Sequence, residues 1–275
     1  ACGRYSVRRG GSQFCRATVI PHGRSGARQS FETLPINSQR YLPQRFSLET
    51  QPQVFYYEVS MSQEYQDVKT GTTTVGIVFQ GGVVLATERR ATMGTLIASK
   101  KAKKVHSITD RIGMTIAGGV GDAQQLVRII NVECNLYQIR RGKKISVGAA
   151  ATILSNYLNQ NRFSPYYVQL LVGGVDLTGP SIYSVDAAGG ATLEEDFVST
   201  GSGSLTAYGV LEDRFRTDMS ETEAVDLAVR ALRAATRRDS ASGEGYNVVV
   251  ITRDKFEHIP ESKISELLPA PSSSL

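Results

Sequence analysis

The stretch Lys69-Thr70-Gly71-Thr72-Thr73-Thr74-Val75-Gly76 decides how the rest of the chain is interpreted, since it opens an apolar run that ends at Phe79. One interpretation is a β-strand that the chain enters through a flexible glycine, because threonine is a good strand former. The other is that the Gly71–Thr72 bond is cut, which makes Thr72 a new amino terminus. A terminal threonine carries a hydroxyl nucleophile, and an α-amine with a pKa of roughly 7.7–8.0 is able to take the hydroxyl proton.

Length and composition describe an ordinary globular chain. It has 275 residues, 41% of them apolar, and no stretch is apolar for long enough to span a membrane. Cys2, Cys15 and Cys134 form no pairing or metal-ligand pattern, which favours a reducing compartment. The net charge of +5 lies in residues 1–60, which hold eight Arg, no Lys and three Glu, whereas residues 61–275 are neutral overall. Nucleic-acid binding is therefore not expected.

Residues 1–60 form a basic head with no sustained helical or strand period, rich in Arg, Ser, Gln, Gly and Pro. Such a composition is typical of disorder. An Arg-rich, acid-poor segment is also compatible with an organelle transit peptide. A third interpretation, which we prefer to the transit peptide, is an upstream translation artefact with Met61 as the true first residue. In each case we expect the head to lie outside the fold.

The segment from Thr72 to residue 259 is predicted to be one α+β domain, followed by a largely polar tail over residues 260–275. Strands are predicted at Thr73–Phe79, Val83–Thr87, Leu96–Ser99, Val105–Thr109, Ile112–Ala117, Tyr167–Val175, Ser181–Asp186, Leu193–Ser199 and Tyr246–Thr252. Helices are predicted from about Ala123 to Gly142 and at Val147–Gln160, Ser204–Asp213 and Glu221–Arg237. Strands grouped in blocks argue against a parallel βαβ sheet and favour two sheets packed face to face, with a helical layer outside each.

The sequence offers little support for a serine or cysteine nucleophile or for a metal site. A Ser-His-Asp arrangement would have to use His106, because His258 lies next to the tail, and no Gly-x-Ser-x-Gly elbow is present. Cys134 falls among apolar neighbours in a predicted helix, which favours a place in the core. The segment 201–204, Gly-Ser-Gly-Ser, resembles a phosphate-binding loop but lacks the following lysine, and no metal-binding motif is found.

An amino-terminal threonine needs no histidine, but it does need charged and polar partners. A nearby ammonium group favours the neutral form of the α-amine, and a buried lysine in turn needs a carboxylate. Lys104 and Glu88 are the candidates for this pair. Gly118 lies between a predicted strand and a helix amino terminus, where its backbone N–H is suited to bind a developing oxyanion.

Six motifs in order resemble the catalytic, archaeal type of proteasome β subunit over about residues 62–260. They are Gly71-Thr72-Thr73-Thr74-Val75-Gly76, Ala86-Thr87-Glu88-Arg89-Arg90, Met114-Thr115-Ile116-Ala117-Gly118, Gly121-Asp122-Ala123-Gln124, Ser199-Thr200-Gly201-Ser202-Gly203-Ser204 and Arg238-Asp239-Ser240-Ala241-Ser242-Gly243. The resemblance implies an N-terminal-nucleophile hydrolase fold, a four-layer αββα sandwich. It also implies seven-membered β rings stacked between rings of a separate α subunit, and a short propeptide, here residues 61–71.

The resemblance also implies a role for individual residues. Thr72 matches the nucleophile and Gly71–Thr72 the self-cleaved bond, while Lys104 and Glu88 match the charged pair beside it. Asp239, Ser242 and Ser202 match the residues that orient the threonine, and Gly118 matches the oxyanion donor. The positions that line the pocket for the residue before the scissile bond are matched by Ala91, Ala102, His106, Ile116 and Val120. The small and branched side chains of the other four residues suggest cleavage after large hydrophobic residues, while His106 lies at the rim of the pocket.

The function predicted from the sequence is therefore a cytoplasmic threonine endopeptidase that degrades unfolded polypeptides without a cofactor. Its expected partners are other β subunits, α-subunit rings and an ATP-dependent unfoldase, with no nucleic acid and no membrane. Two alternatives are a subunit of the bacterial two-ring threonine protease and a non-catalytic ring subunit of the same fold. The Arg-Asp-Ser-Ala-Ser-Gly motif argues against the first, and the presence of both the Gly–Thr junction and Lys104 argues against the second.

Overall fold

The computed structural model describes residues 6–9, 15–18 and 71–267. In the basic head, strands β1 (Ser6–Arg9) and β2 (Cys15–Thr18) pair antiparallel. The predictions made for the rest of the head, for residues 61–70 of the propeptide and for residues 268–275 of the tail lie outside the described residues, and the proposed domain boundaries stay predictions.

Residues 71–267 form twelve strands and five helices. The strands are β3 (Thr73–Phe79), β4 (Gly82–Glu88), β5 (Ala91–Met93), β6 (Leu96–Ser99), β7 (Val105–Ser107), β8 (Ile112–Gly118), β9 (Val168–Asp176), β10 (Gly179–Val185), β11 (Ala191–Glu194), β12 (Phe197–Gly201), β13 (Tyr246–Thr252) and β14 (Phe256–His258). The helices are α1 (Val120–Arg141), α2 (Val147–Gln160), α3 (Ser204–Arg214), α4 (Glu221–Thr236) and α5 (Glu261–Leu267).

Two five-stranded antiparallel sheets form the centre of the α+β fold. One has the order β12-β3-β4-β13-β14 and the other β11-β10-β9-β8-β7. Three clusters of buried apolar side chains hold the structure together. One lies between α4, α3 and the first sheet, one between α1, α2 and the second sheet, and the third contains residues of both sheets, such as Leu85 and Leu171. Burying both faces of each sheet is the main source of stability for such an arrangement.

The hairpin of β3 and β4 places the Thr72 segment inside the first sheet. Its tight turn contains Gly81 at φ +94°, a conformation that glycine adopts without strain. Both strands are almost fully buried because the sheet is covered on each face. Strand β3 is flanked by β12 on one side and β4 on the other, so the backbone that follows Thr72 is held from both sides.

Helix α4 carries a stripe of alanines that is fully buried against the first sheet, formed by Ala224, Ala228, Ala231 and Ala235. Ser220 and Glu223 form a capping box at its start, which satisfies backbone N–H groups of the first turn. Small side chains on this face allow the helix to lie close to β3 and β4.

One strand prediction is wrong. Leu193–Ser199 was expected as a single strand, but the chain breaks at residues 195–196 and forms two strands that belong to different sheets. The carbonyl of Asp196 accepts from the Val78 N–H at 2.8 Å, which fixes the bend between them. The tail also contains structure, since α5 packs Ile264 into the cluster beneath α4.

Candidate active site

The Thr72 side chain lies in a nearly closed site directly before β3, with 4% of the residue exposed. Its hydroxyl donates to the carbonyl oxygen of Gly71 at 2.6 Å and accepts from Lys104 Nζ at 3.1 Å. The hydroxyl therefore contacts both the bond predicted to be cut and the lysine predicted to act on it. In the structure Thr72 is linked through its nitrogen to Gly71, so this nitrogen is an amide and not a free α-amine.

Lys104 and Glu88 form a buried ion pair, with exposed side-chain fractions of 8% and 0%. The lysine ammonium contacts the Glu88 carboxylate, the Arg90 carbonyl oxygen and the Thr72 hydroxyl. Three acceptors match the three N–H donors of a protonated lysine. The other Glu88 oxygen accepts from the backbone N–H groups of Arg90 (2.6 Å) and Gly243 (3.0 Å), which fixes the carboxylate.

Burial changes the ionisation of both partners in opposite directions. Loss of hydration lowers the pKa of the Lys104 ammonium and raises the pKa of the Glu88 carboxyl, because burial disfavours the charged form of each group. The attraction between the two groups opposes both shifts. Lys104 is therefore a cation that loses its proton more readily than an exposed lysine, at hydrogen-bond distance from a hydroxyl.

Asp239 connects the remaining polar residues predicted for the site. One of its oxygens accepts from the hydroxyls of Ser202 (2.5 Å) and Ser242 (2.6 Å). Because the single Ser242 proton is used in this bond, Thr73 donates its own hydroxyl proton to Ser242 at 2.7 Å. Ser202 also lies 3.5 Å from the Thr72 carbonyl oxygen. The structure thus brings Ser202 to the Thr72 carbonyl and Ser242 to the Thr73 hydroxyl, and Asp239 connects the two serines.

Glycines allow the surrounding chain to approach this backbone closely. A Cβ atom on Gly71 would lie 1.7 Å from the Ala241 Cβ, and one on Gly201 would lie 2.0 Å from the Thr72 carbonyl oxygen. A Cβ on Gly203 would lie 2.1 Å from the Thr73 hydroxyl oxygen. The segment 201–204, which the sequence analysis compared with a phosphate loop, instead packs against the start of β3.

Arg90 is a residue whose role the sequence analysis missed. Its backbone contacts Glu88 and Lys104, while its guanidinium donates to the Ser240 carbonyl oxygen (2.8 Å) and to Glu244 (3.1 Å). Glu244 adopts φ +66°, an uncommon conformation for a residue with a side chain. Arg90 therefore joins the lysine–glutamate pair to the loop that carries Asp239 and Ser242. The sequence feature that could have indicated this role is the position of Arg90 in one of the six motifs, two residues after Glu88.

Gly118 and the predicted pocket residues lie on segments around this centre. Gly118 ends β8 at φ +117°, where a Cβ would lie 2.2 Å from the Tyr167 carbonyl oxygen. The five pocket residues lie on five different segments. They are Ala91 in β5, Ala102 in the β6–β7 connection, His106 in β7, Ile116 in β8 and Val120 in α1. Ile116 N–H donates to the Lys104 carbonyl oxygen at 3.0 Å, whereas Val120 is 58% exposed. Their binding role stays a prediction.

Two other features are absent from the part of the chain that the structure describes. Within it, His, Cys, Asp and Glu side chains form no group of three that could hold a metal ion. No helix there has the length and apolar character needed to cross a membrane. Cys134 is buried in α1, and burial raises the pKa of its thiol to about 11, consistent with a core residue.

The fold and the buried threonine–lysine–glutamate site define an α+β protein with a candidate hydrolase centre. Residues 68–251 match the model of a family described as proteasome subunit. The chain is 86% identical over 209 residues to the proteasome subunit beta of Methanocorpusculum labreanum, covering 76% of this chain and 99% of the relative. It is 58% identical over 208 residues to that of Archaeoglobus fulgidus, covering 76% of this chain and 98% of the relative.

The chain therefore belongs to the proteasome subunit family, as a catalytic β subunit of the core particle. The family resemblance inferred from the six motifs is confirmed, and so is a protease function within a core assembled with other subunits.

Proposed function

We propose that this β subunit is a threonine-type endopeptidase whose nucleophile is the hydroxyl of Thr72, exposed as an amino terminus after cleavage of the Gly71–Thr72 bond. The observation that carries the proposal is the 3.1 Å contact between Lys104 Nζ and the Thr72 hydroxyl. A buried ammonium in this position stabilises negative charge that develops on the attacking oxygen. A strand that merely begins with threonine requires no such partner.

The first step is activation of the chain by its own hydroxyl. The Thr72 oxygen attacks the Gly71 carbonyl carbon, the C–N bond breaks, and the hydroxyl proton ends on the released nitrogen. This leaves an ester between Gly71 and the Thr72 side chain together with a free α-amine. Water then hydrolyses the ester, releasing the propeptide as a carboxylic acid and regenerating the hydroxyl. Contact of the hydroxyl with the Gly71 carbonyl at 2.6 Å supports this route.

The mature site repeats this chemistry on a substrate peptide. The Thr72 amine takes the hydroxyl proton as the oxygen attacks, and gives it to the leaving amine when the substrate C–N bond breaks. Water hydrolyses the resulting acyl-enzyme ester with the same amine as base. The Lys104 charge keeps the neighbouring amine neutral at working pH, because a second ammonium beside it is unfavourable.

Asp239 and its two serine partners hold the reacting residue in place in this scheme. Ser242 binds the Thr73 hydroxyl and Ser202 faces the Thr72 carbonyl, which together fix the start of β3. The Gly118 N–H is proposed to bind the oxyanion of the tetrahedral intermediate. Its positive φ angle and its close approach to the Tyr167 carbonyl both require glycine.

Substrate selection is proposed to depend on the five pocket residues named above. Four of them have apolar side chains, which favour large hydrophobic residues before the scissile bond. The fifth, His106, whose pKa is lowered by burial, adds a polar edge. The two sheets and the helices packed outside them support the N-terminal-nucleophile sandwich as the fold. The proposed assembly consists of seven-membered β rings between α rings, in the cytoplasm. An ATP-dependent unfoldase would then supply unfolded polypeptide to the enclosed sites.

The proposal is tested by intact mass spectrometry and peptide hydrolysis on the assembled protein. A mature chain that starts at Thr72 is expected, and Thr72→Ala should remain uncleaved at this bond and inactive. Lys104→Ala should block both self-cleavage and turnover, whereas Asp254→Asn, in the exposed turn between β13 and β14, should change neither. A processed and active Lys104→Ala variant, or a mature terminus elsewhere, would refute the mechanism.

A further inference from the structure

Asn247 occupies a position of β13 where the alternation of the strand predicts an apolar side chain. Val249 and Ile251 lie on the same face of the strand, and both are fully buried in the cluster between the two sheets. Asparagine is also depleted in strands, because it packs poorly on a pleated, half-buried surface. Neither packing nor strand propensity accounts for Asn247, and its place is explained by its hydrogen bonds.

The side-chain amide of Asn247 is bound at both ends. Its nitrogen donates to the Ala102 carbonyl oxygen at 3.1 Å, and its oxygen accepts from Arg89 Nε at 3.0 Å. A carbonyl only accepts and a guanidinium only donates, so the two partners fix the orientation of the amide. Arg89 is itself held in place, because its backbone N–H lies 3.1 Å from the carbonyl oxygens of both Gly243 and Gly245. The amide is therefore oriented before any substrate arrives.

The backbone of Ala102 is held on both sides by these residues. Its N–H donates to the Arg89 carbonyl oxygen at 3.0 Å, and its own carbonyl oxygen accepts from Asn247. Two residues later, the Lys104 carbonyl oxygen accepts from the Ile116 N–H at 3.0 Å. The segment 102–104 lies in the connection between β6 and β7, outside the strands, so its position depends on such individual bonds and not on a sheet ladder.

The segment 102–104 carries two residues of the proposed mechanism. Lys104 contacts the Thr72 hydroxyl at 3.1 Å, and Ala102 is one of the residues predicted to line the pocket for the side chain before the scissile bond. Catalytic and binding groups act well only when the residues behind them hold their geometry. The backbone position of this segment therefore affects both the rate of cleavage and the choice of substrate.

We propose that Asn247 is a positioning residue, which fixes the segment 102–104 through the Ala102 carbonyl and so sets the wall of the substrate pocket. The inference rests on the proposed threonine endopeptidase function and names a residue on which its selectivity depends. Loss of one hydrogen bond between uncharged groups corresponds to a change of about two- to tenfold. A wall that is no longer held should discriminate less between large and small side chains.

The test measures the assembled proteasome core on two peptides that differ only in the residue before the scissile bond, tyrosine or alanine. The quantity compared is the ratio of the two kcat/KM values, because a ratio obtained on one preparation does not depend on the fraction of active subunits. The wild-type protein should prefer the tyrosine peptide. Asn247→Ala should lower the tyrosine-to-alanine ratio about two- to tenfold.

Asn247→Asp separates the two ends of the amide. A carboxylate keeps an acceptor for Arg89 but has no hydrogen to donate to the Ala102 carbonyl. It should therefore lower the ratio as Asn247→Ala does, and its nearly identical shape keeps the test decisive if the alanine variant does not assemble. Neither peptide is charged at the residue that differs, so the added charge acts on both alike. A wild-type ratio in Asn247→Asp would overturn the inference.

Asn161→Ala is the matched control, because Asn161 also donates its amide to a backbone carbonyl, that of Tyr157 at 2.8 Å, at the end of α2. It should leave the ratio unchanged. An equal fall in the ratio for Asn161→Ala, or an unchanged ratio in Asn247→Ala, would overturn the inference while the endopeptidase function stands. Absence of Thr72-dependent cleavage of either peptide would overturn both.

Discussion

Replacing Gly71 by alanine tests whether self-cleavage depends on the close packing seen around the Gly71–Thr72 bond. The added Cβ would lie 1.7 Å from the Ala241 Cβ, whereas carbon atoms in contact are about 3.5–4.0 Å apart. The Gly71 peptide would therefore have to move by roughly 2 Å relative to Ala241. Such a shift takes its carbonyl group away from the Thr72 hydroxyl, which now contacts it at 2.6 Å.

Misplacement of reacting atoms by about 1 Å is able to slow a reaction on the order of 10²-fold. We therefore expect Gly71→Ala to slow release of the propeptide by at least about this factor, measured by intact mass spectrometry at successive times after assembly. The peptidase activity per processed subunit should equal that of the wild type, because Gly71 is absent from the mature chain.

Two companion variants make this prediction specific. Gly71→Ala combined with Ala241→Gly removes the shortest contact and should recover a large part of the cleavage rate. Gly121→Ala in the first turn of α1 is the matched control, since a Cβ there meets nothing within 4 Å. A single variant that is processed at the wild-type rate, or a double variant no faster than the single one, would refute the steric reasoning.

Three further predictions concern the charged centre and the last helix. Arg90→Lys should lower kcat about tenfold, because a lysine cannot bind both the Ser240 carbonyl and Glu244. Glu244→Gln should lower kcat by less. Steady-state kinetics measures both effects, and thermal unfolding shows whether the variants are folded. The Glu88 charge raises the Lys104 pKa against the effect of burial, and Glu88→Gln removes that charge. The alkaline limb of the pH–rate profile should therefore move to lower pH. An unchanged limb would argue against a protonated lysine in the active enzyme. Ile264→Ala should reduce the free energy of unfolding by about 2–4 kcal/mol in denaturant titrations, because this side chain is 2% exposed.

Much of the fold was accessible from the sequence because its periodicity is local. The helix Val147–Gln160 and the strands Thr73–Phe79 and Tyr246–Thr252 have the predicted bounds, since their apolar spacing and flanking residues specify them without tertiary information. The break inside Leu193–Ser199 was not accessible, because it depends on a hydrogen bond between Asp196 and Val78, far apart in the chain.

In the candidate site, too, some features were predictable from the sequence and others depend on tertiary contacts. The structure places Lys104 against Thr72 and Glu88 against Lys104, as the family resemblance predicted, although their catalytic roles are still proposals. The contact between Arg90 and Glu244 joins residues 154 positions apart, and no periodic pattern in the sequence predicts it.

The position of Thr72 directly before a central, doubly flanked strand has a consequence for the cost of binding. Chain termini of most domains fluctuate, and ordering one residue of backbone costs about 1–2 kcal/mol. Here the terminus that the proposed cleavage would create begins at a residue whose neighbour, Thr73, is already paired with Gly201. The entropy of fixing the proposed nucleophile would therefore be lost once, when the subunit folds, and not again with each polypeptide that it cuts.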